Sequence, residues 1–305
     1  MRPIDVIPSS RLFQGEPPDL SGSRVFLAEG DSWFTLGALT GLPPSNLLYE
    51  LDFAKATTIV SCAYPGNTLQ QMSDGIDDPY FDRLLRQEPW QRWWYALLVS
   101  AGGNDLIDAA QHRATHADGS PAAPGQRLFL TAAEASTWQP GLTGAARWIS
   151  QPGWQRLAAY LRANFHALAA RRDEGDSSGR PIFLHTYAVP TVWPLGIPVL
   201  APQGWLYPAL LAYGIPPDER QGVATLLFQR LRELILSLDM DQGSDPLPQV
   251  HVFDSAARVV LDPPDPSATG PSGDWANEIH CTRDGYRKIG LLMGAWLETV
   301  LRRYD

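Results

Sequence analysis

The sequence predicts an α/β protein in which helices cover both faces of a parallel sheet. Two observations predict this class: short, continuously apolar segments recur along the chain, and segments with helical periodicity separate them. The 305 residues, of which 44% are hydrophobic, are enough for one large α/β domain or two small ones. The apolar segments that we interpret as buried strands are residues 25–28, 58–61, 96–100, 182–186 and 250–253.

Three helices are predicted from apolar residues that repeat on one face with a period of about 3.6 residues. The first contains Pro152 in its opening turn, where proline is tolerated, and the second begins at Pro217. The third lies near the C-terminus, and Thr282 is its expected N-cap.

Two irregular segments, residues 114–144 and 189–217, interrupt this alternation. The second contains seven prolines and four large aromatic residues. Long irregular segments in a compact domain are usually functional loops or lids. Because neither contains a predicted strand, we expect one domain over residues 1–305 with these two segments as excursions from it.

The charge and composition disfavour several function classes. The formal net charge is −9, from 24 basic and 33 acidic residues, and no block of lysine and arginine is present. Such a chain is a poor candidate for binding nucleic acid or an anionic membrane. No apolar segment reaches the roughly 18 residues that a transmembrane helix needs. The first twenty residues contain prolines and acids where a signal peptide would be apolar, so a cytoplasmic location is expected.

The cysteines and histidines do not predict a metal centre or a cofactor site. Cys62 and Cys281 are too few for a disulfide framework, and we expect two thiols rather than a disulfide. His112 and His116 have the i, i+4 spacing of some metal ligands, but no zinc-protease motif accompanies them.

Small and polar residues follow the first three predicted strands. The motifs are Gly-Asp-Ser-Trp at residues 30–33, Tyr-Pro-Gly-Asn-Thr at residues 64–68 and Gly-Gly-Asn-Asp at residues 102–105. A fourth motif, Asn-Glu-Ile-His at residues 277–280, precedes the last helix. Because loops at the carboxyl ends of parallel strands converge in one crevice, we expect the four motifs to lie together.

The residues of these motifs suit nucleophilic catalysis at an acyl group. A serine hydroxyl needs a neighbouring base, and histidine exchanges a proton near neutral pH, so Ser32 is the expected nucleophile and His280 its general base. The backbone N–H groups of Ser32 and Gly66 and the side-chain amide of Asn104 are the expected oxyanion donors. Each motif alone is also a common turn or helix cap; their combination favours catalysis.

Ser32, Gly66, Asn104 and His280, in this order, resemble the four blocks that name the SGNH hydrolases, also called the GDSL esterase/lipase family. The resemblance spans roughly residues 24–300, and Trp33 stands where the first block usually has leucine. It implies a flavodoxin-like, three-layer α/β/α sandwich with five parallel strands in the order 2-1-3-4-5.

The sequence departs from the family in the residue that orients the histidine. The family usually has aspartate three residues before the histidine, where this chain has Asn277. Three arrangements remain open: Asn277 through its side chain or its own carbonyl, Asp274, or Glu278. We favour a Ser–His dyad with weak orientation by Asn277, and rank Asp274 second.

Aromatic residues near the predicted crevice are candidates for binding substrate. Trp193, Trp205 and Tyr207 follow the fourth predicted strand and could line an apolar acyl site or stack on a sugar, and Trp33 adjoins Ser32. Alternatively, these rings only bury the segment that carries them.

The predicted activity is hydrolysis of a carboxylic ester through an acyl-enzyme at Ser32. The substrate would be a small-molecule ester with a short acyl chain, a lipid ester or an acetylated sugar. The resembled family also includes acyltransferases and thioesterases, which are one alternative. A non-catalytic binding protein with a decayed triad is the alternative from another class, because of Asn277. A flavodoxin-like phosphate or nucleotide binder is disfavoured because a Gly-rich phosphate loop is missing.

Overall fold

The computed structural model of the chain describes residues 4–35, 45–74, 79–199 and 201–305. The strands are β1 (Ile4–Pro8), β2 (Arg24–Gly30), β3 (Thr57–Ser61), β4 (Ala96–Ser100), β5 (Ile182–His185) and β6 (Val250–Phe253). The α-helices are α1 (Ser32–Thr35), α2 (Leu69–Asp74), α3 (Pro79–Arg86), α4 (Gly103–Gln111), α5 (Ala132–Thr137), α6 (Gln151–Arg172), α7 (Leu206–Ala212), α8 (Pro217–Ser237), α9 (Ser255–Arg258) and α10 (Arg283–Leu301). Short 3₁₀ helices occur at Ser9–Phe13, Leu47–Glu50, Pro124–Gln126 and Gly144–Trp148.

The strands form one sheet in the order β1-β3-β2-β4-β5-β6, and every neighbouring pair is parallel. The five predicted strands correspond to β2 through β6, and their predicted order is confirmed. The sheet has one strand more than predicted, because β1 adds to the edge beside β3. The β1 sequence, Ile-Asp-Val-Ile-Pro, includes an acid and is mostly only partly buried, as an edge strand allows. It therefore lacks the continuous apolar pattern that revealed the other strands.

The central strands are buried on both faces, which explains their continuously apolar sequences. All five residues of β4 are buried, as is most of β2. On one side, α6 contacts α2, α3, α4 and α8. On the other side, α10 contacts α9 and the 3₁₀ helix at Leu47–Glu50, and its Trp296 packs against Phe183 of β5 with ring centroids 5.6 Å apart. The predicted three-layer α/β/α sandwich is therefore confirmed.

Parallel pairing brings the carboxyl ends of the strands to one edge of the sheet. At that edge β2 and β4 approach closely at Gly30, where an added Cβ would lie 2.9 Å from the Ser100 Cβ. The N–H of Asp31 then donates to the Ser100 carbonyl at 3.1 Å. A larger residue at position 30 would displace the turn into α1, so this glycine helps to place Ser32.

The three predicted helices correspond to α6, α8 and α10. Pro152 lies in the first turn of α6 and Pro217 begins α8, as their fixed φ favours. The Thr282 hydroxyl accepts a hydrogen bond from the Gly285 N–H at 3.2 Å and caps α10. This cap sets the direction in which the chain leaves the last motif, two residues after His280.

Both irregular segments carry short helices and contribute no strand to the sheet among their described residues. Residues 114–144 contain α5, whose capping box pairs Thr131 with Glu134. Residues 189–217 contain α7. The hydrophobic core that begins at β1 and ends in α10 also includes apolar residues of both segments.

Within the described ranges, none of the helices combines the length and the apolarity that crossing a membrane requires.

Candidate active site

Ser32 and His280 meet at the carboxyl end of the sheet. Ser32 is the first residue of α1 and follows the end of β2 by two residues, and His280 lies two residues before the N-cap of α10. The Nε2 atom of His280 lies 2.8 Å from the Ser32 Oγ atom, although 248 residues separate them in the chain. Both side chains are nearly enclosed, with 7% of Ser32 and 2% of His280 exposed.

The side chain of Asn277 orients the imidazole. Its Oδ1 atom lies 2.9 Å from the Nδ1 atom of His280. The same oxygen accepts hydrogen bonds from the backbone N–H groups of Ile279 at 3.2 Å and His280 at 3.0 Å. These two donors face the amide oxygen, so the oxygen rather than the amide nitrogen is turned toward the ring. The imidazole therefore carries its proton on Nδ1 and presents the Nε2 lone pair to the Ser32 hydroxyl.

The imidazole is held neutral in this site. Burial lowers the pKa of His280 to about 3, because a buried imidazolium would lose its hydration. The Asn277 side chain accepts a hydrogen bond from the Nδ1–H group but carries no charge that would stabilise the imidazolium. The imidazole is therefore oriented toward the Ser32 hydroxyl, but it lacks the electrostatic support that a carboxylate gives in a Ser-His-Asp triad.

The two other orientation candidates contact different groups. The Asp274 carboxylate accepts from the Lys288 ammonium at 2.6 Å and from the Asp262 N–H at 2.6 Å. The Glu278 carboxylate accepts from three backbone N–H groups at the start of α7. Burial raises the pKa of Glu278 to about 7. Of the three arrangements left open by the sequence, the side chain of Asn277 is the one that contacts the His280 ring.

The proposed oxyanion donors lie in the first turns of α1 and α4 and in the turn that contains Gly66. Asn104, in the first turn of α4, lines the same cavity as Ser32, and its Nδ2 atom donates to the Asn67 carbonyl at 2.9 Å. This contact uses one of the two N–H groups of the amide and fixes the side chain against the turn that contains Gly66. Gly66 has a φ of +86°, a left-handed conformation that favours glycine. The Tyr64 N–H donates to the Gly30 carbonyl at 2.9 Å, which attaches this turn to the end of β2.

A buried polar network supports the turn before Ser32. The carboxylate of Asp31 accepts from the Trp33 N–H at 2.9 Å, the Ser100 hydroxyl at 2.8 Å and the Tyr187 hydroxyl at 2.5 Å. The Nε2 atom of His185 lies 3.0 Å from the Ser100 Oγ atom. Burial raises the pKa of Asp31 to about 6 and lowers that of His185 to about 4. Sequence reasoning missed Ser100 and Tyr187 as members of the site, although both stand at or just after the carboxyl end of a strand.

The four aromatic candidates have different environments. Trp33 lines the cavity at Ser32, and its indole N–H donates to the Ile279 carbonyl at 3.1 Å. Trp205 packs edge-to-face against His280 with ring centroids 5.2 Å apart. Trp193 is 1% exposed and donates to the Ala268 carbonyl, so it fills the interior of its segment. Tyr207 is half-buried, with the Arg220 guanidinium 5.5 Å from its ring centroid.

A small cavity opens beside the Ser32 hydroxyl. Its volume is about 20 Å³, room for about one water molecule. Its lining is mostly apolar and includes Asn104 and Ser32. The residues that line it are Asp31, Ser32, Trp33, Gly103, Asn104, Ile107, Tyr187, Ala188, Pro190, Phe228 and Ile279.

The cysteines and the remaining histidine pair stand apart from this chemistry. Cys62 and Cys281 are buried free thiols, as expected from the sequence. Burial raises the pKa of the Cys281 thiol well above its usual range, which keeps it protonated and weakly nucleophilic. His112 and His116 are exposed, and the described residues contain no group of three or more potential metal ligands.

No protein-family model and no curated protein match the chain. Solved structures do match at low identity. An extracellular lipase from Streptomyces rimosus is 11% identical, with 88% of this chain and 97% of that chain covered and a TM-score of 0.47. An aryl esterase from M. smegmatis is 12% identical, with 91% and 99% covered and a TM-score of 0.41. A phospholipase A1 from Streptomyces albidoflavus is 13% identical, with 93% and 100% covered and a TM-score of 0.38.

Identities near one tenth with TM-scores below 0.5 mark a remote likeness. The fold agrees with the one that the resemblance to SGNH hydrolases implied. The sheet is parallel, its five predicted strands have the implied order, and the serine and histidine motifs meet at one edge of it.

Proposed function

We propose that this chain is an SGNH-type serine hydrolase that cleaves carboxylic esters. The observation that carries the proposal is the 2.8 Å contact between the Ser32 hydroxyl and the Nε2 atom of an imidazole whose Nδ1 proton is held by Asn277. This is the arrangement in which a histidine removes the proton of a serine nucleophile. A lipase, an esterase and a phospholipase among the similar structures are consistent with it.

In the proposed reaction, the Ser32 oxygen attacks the ester carbonyl carbon while His280 takes the hydroxyl proton on Nε2. The negative charge that forms on the carbonyl oxygen is stabilised by the N–H groups of Ser32 and Gly66 and by the second amide N–H of Asn104. The C–O bond to the alcohol then breaks, and His280 returns the proton to the leaving oxygen. Water, deprotonated by the same imidazole, hydrolyses the acyl-enzyme and restores Ser32.

A fluorophosphonate probe tests this proposal directly, because it phosphonylates a serine only when a base and an oxyanion site activate it. We expect the folded protein to be labelled with one adduct, on the peptide that contains Ser32, and heat-denatured protein to remain unlabelled. Labelling elsewhere, or none in a folded and soluble sample, would contradict the proposed hydrolase. The absence of labelling would instead favour a binding protein with a decayed triad.

The small cavity predicts a preference for short acyl groups. An acyl chain bound with its carbonyl oxygen near Asn104 would extend toward Ile107 and Phe228, which leave little space. We expect kcat/KM for p-nitrophenyl esters to fall about tenfold or more from acetate to octanoate, because a longer chain must displace packed side chains. An equal kcat/KM across the series would show that this cavity does not receive the acyl group.

Enlarging the cavity provides the matched comparison. Ile107→Ala should move the preference toward butyrate and hexanoate, because it removes methyl groups from the cavity wall. Ile235→Ala removes a comparable buried side chain from α8 that does not line the cavity. The control should lower stability without changing the dependence on chain length.

A further inference from the structure

Glu278 links the loop that carries Asn277 and His280 to the irregular segment at residues 189–217. It stands between Asn277 and His280, but its carboxylate points away from the imidazole. One oxygen accepts from the N–H groups of Trp205 at 2.5 Å and Leu206 at 2.8 Å, and the other accepts from the Tyr207 N–H at 2.8 Å. The side chain is 0% exposed, so these N–H groups replace the water that the carboxylate loses.

The segment is shaped around this carboxylate. Gly204 adopts a φ of +83°, and a Cβ added there would lie 2.5 Å from a carboxylate oxygen of Glu278. The backbone N–H of Glu278 also donates to the Leu195 carbonyl at 2.9 Å. Glu278 therefore holds the segment at two places, before and at the start of α7. Nothing in the sequence pattern predicted these contacts, since they join residues more than 70 positions apart.

The main consequence at the active site is the position of Trp205. Its indole ring meets the His280 imidazole edge-to-face at 5.2 Å, and its carbonyl accepts from the Gln111 side chain at 3.3 Å. The ring is only partly buried, so it still has surface available to a ligand.

We propose that Glu278 is a positioning residue that holds Trp205 against His280, so that the indole forms the wall on the leaving-group side and favours esters of aromatic alcohols. This inference rests on the proposed ester hydrolysis. In that reaction His280 returns its proton to the departing alcohol oxygen, so the alcohol must lie beside the imidazole. A ring that packs on the imidazole then contacts the alcohol substituent, while the acyl group lies toward Asn104 and Ile107.

Two acetate esters with different alcohols test the proposal. Ethyl acetate and 2-phenylethyl acetate share the acyl group, and both release an aliphatic alcohol, but only the second presents an aromatic ring. We expect the wild type to prefer the second in kcat/KM. Trp205→Ala should reduce this preference about tenfold, which corresponds to one lost aromatic contact.

Glu278→Gln should reduce the same preference by about threefold to tenfold. The glutamine amide places an NH₂ group against backbone N–H groups that donated to the carboxylate. Two donors then face each other, so the glutamine no longer holds Trp205 in place. Gly204→Ala disturbs the same contact from the opposite side and should act in the same direction. The ratio of kcat/KM for p-nitrophenyl acetate and butyrate should stay within about twofold in all three variants, because the acyl side is unchanged.

Glu134→Gln is the matched control, because Glu134 also accepts from a helix N-cap but lies in α5 within the other irregular segment. It should leave both ratios unchanged. A folded Trp205→Ala or Glu278→Gln variant with the wild-type alcohol preference would overturn the inference. If Glu278→Gln does not fold, the Trp205→Ala result decides. If the folded wild type is not labelled at Ser32 by the fluorophosphonate, the proposed hydrolase is refuted instead. Failure of this inference and failure of the proposed function are therefore distinguishable.

Discussion

Replacement of Ser32 by alanine should reduce kcat/KM for p-nitrophenyl acetate by about 10⁴-fold or more. The variant lacks the oxygen that attacks the carbonyl carbon, and water held in its place would not be fixed at the same point. The substitution removes one hydroxyl that contacts His280 and leaves the surrounding packing intact. The melting temperature should therefore change little, and the rate should be measured against the uncatalysed hydrolysis of the same ester.

Ser73→Ala is the matched control for this experiment. Ser73 is also a buried serine, and its hydroxyl is hydrogen-bonded to the Gln70 carbonyl and to Asn164, at 3.0 Å and 2.9 Å. This variant should retain activity and fluorophosphonate labelling. A Ser32→Ala protein that folds and keeps more than about a tenth of the wild-type rate would remove Ser32 from the reaction.

Much of the fold was predictable because most strands are buried on both faces. Continuous apolar segments such as Ala96–Ser100 exist only because water reaches neither face of those strands, and this is visible in sequence. The edge strand β1 has one neighbour and an alternating, partly exposed sequence, so its pairing with β3 depends on a contact that local sequence does not encode. β1 is recognisable as a strand only through its pairing with β3 in the folded sheet.

The site was predictable only in outline. Ser32 and His280 could be paired because a nucleophile needs a base and because parallel topology gathers strand ends. The direction in which each side chain points was not accessible. Asp274 lies six residues before His280, near enough in sequence to be a candidate for orienting the imidazole. Its carboxylate instead accepts from Lys288. Glu278 is closer still and faces α7 instead.

Exchange of Asn277 tests how much the orientation of His280 contributes to the rate. Asn277→Ala should lower kcat about 10- to 100-fold, because the Nδ1 proton of His280 loses its acceptor and the ring its fixed orientation. This is far less than the loss at Ser32, since the nucleophile and the oxyanion donors remain. An equal loss in both variants would contradict the Ser–His dyad.

Asn277→Asp should act in the opposite direction and raise kcat about tenfold. A carboxylate can keep all three hydrogen bonds that Asn277 accepts, from Nδ1 and from the N–H groups of Ile279 and His280. It adds a negative charge beside the imidazolium that forms in the transition state. In the wild type, burial without a charged partner lowers the pKa of His280 to about 3. The new charge favours the protonated ring, so the pKa must rise.

The pH dependence of kcat/KM provides the sign test. Because the protonated imidazole cannot act as a base, a higher His280 pKa moves the acid limb of the profile of Asn277→Asp to higher pH than in the wild type. Asn46→Asp is the control: Asn46 is buried to a similar degree and accepts from the Leu48 and Tyr49 N–H groups, and these hydrogen bonds do not involve the imidazole. Asn46→Asp should change neither kcat nor the pH at which the acid limb of the kcat/KM profile falls. A profile of Asn277→Asp that matches the wild type would mean that protonation of His280 does not govern turnover, whereas a shift confined to this variant would identify His280 as the base.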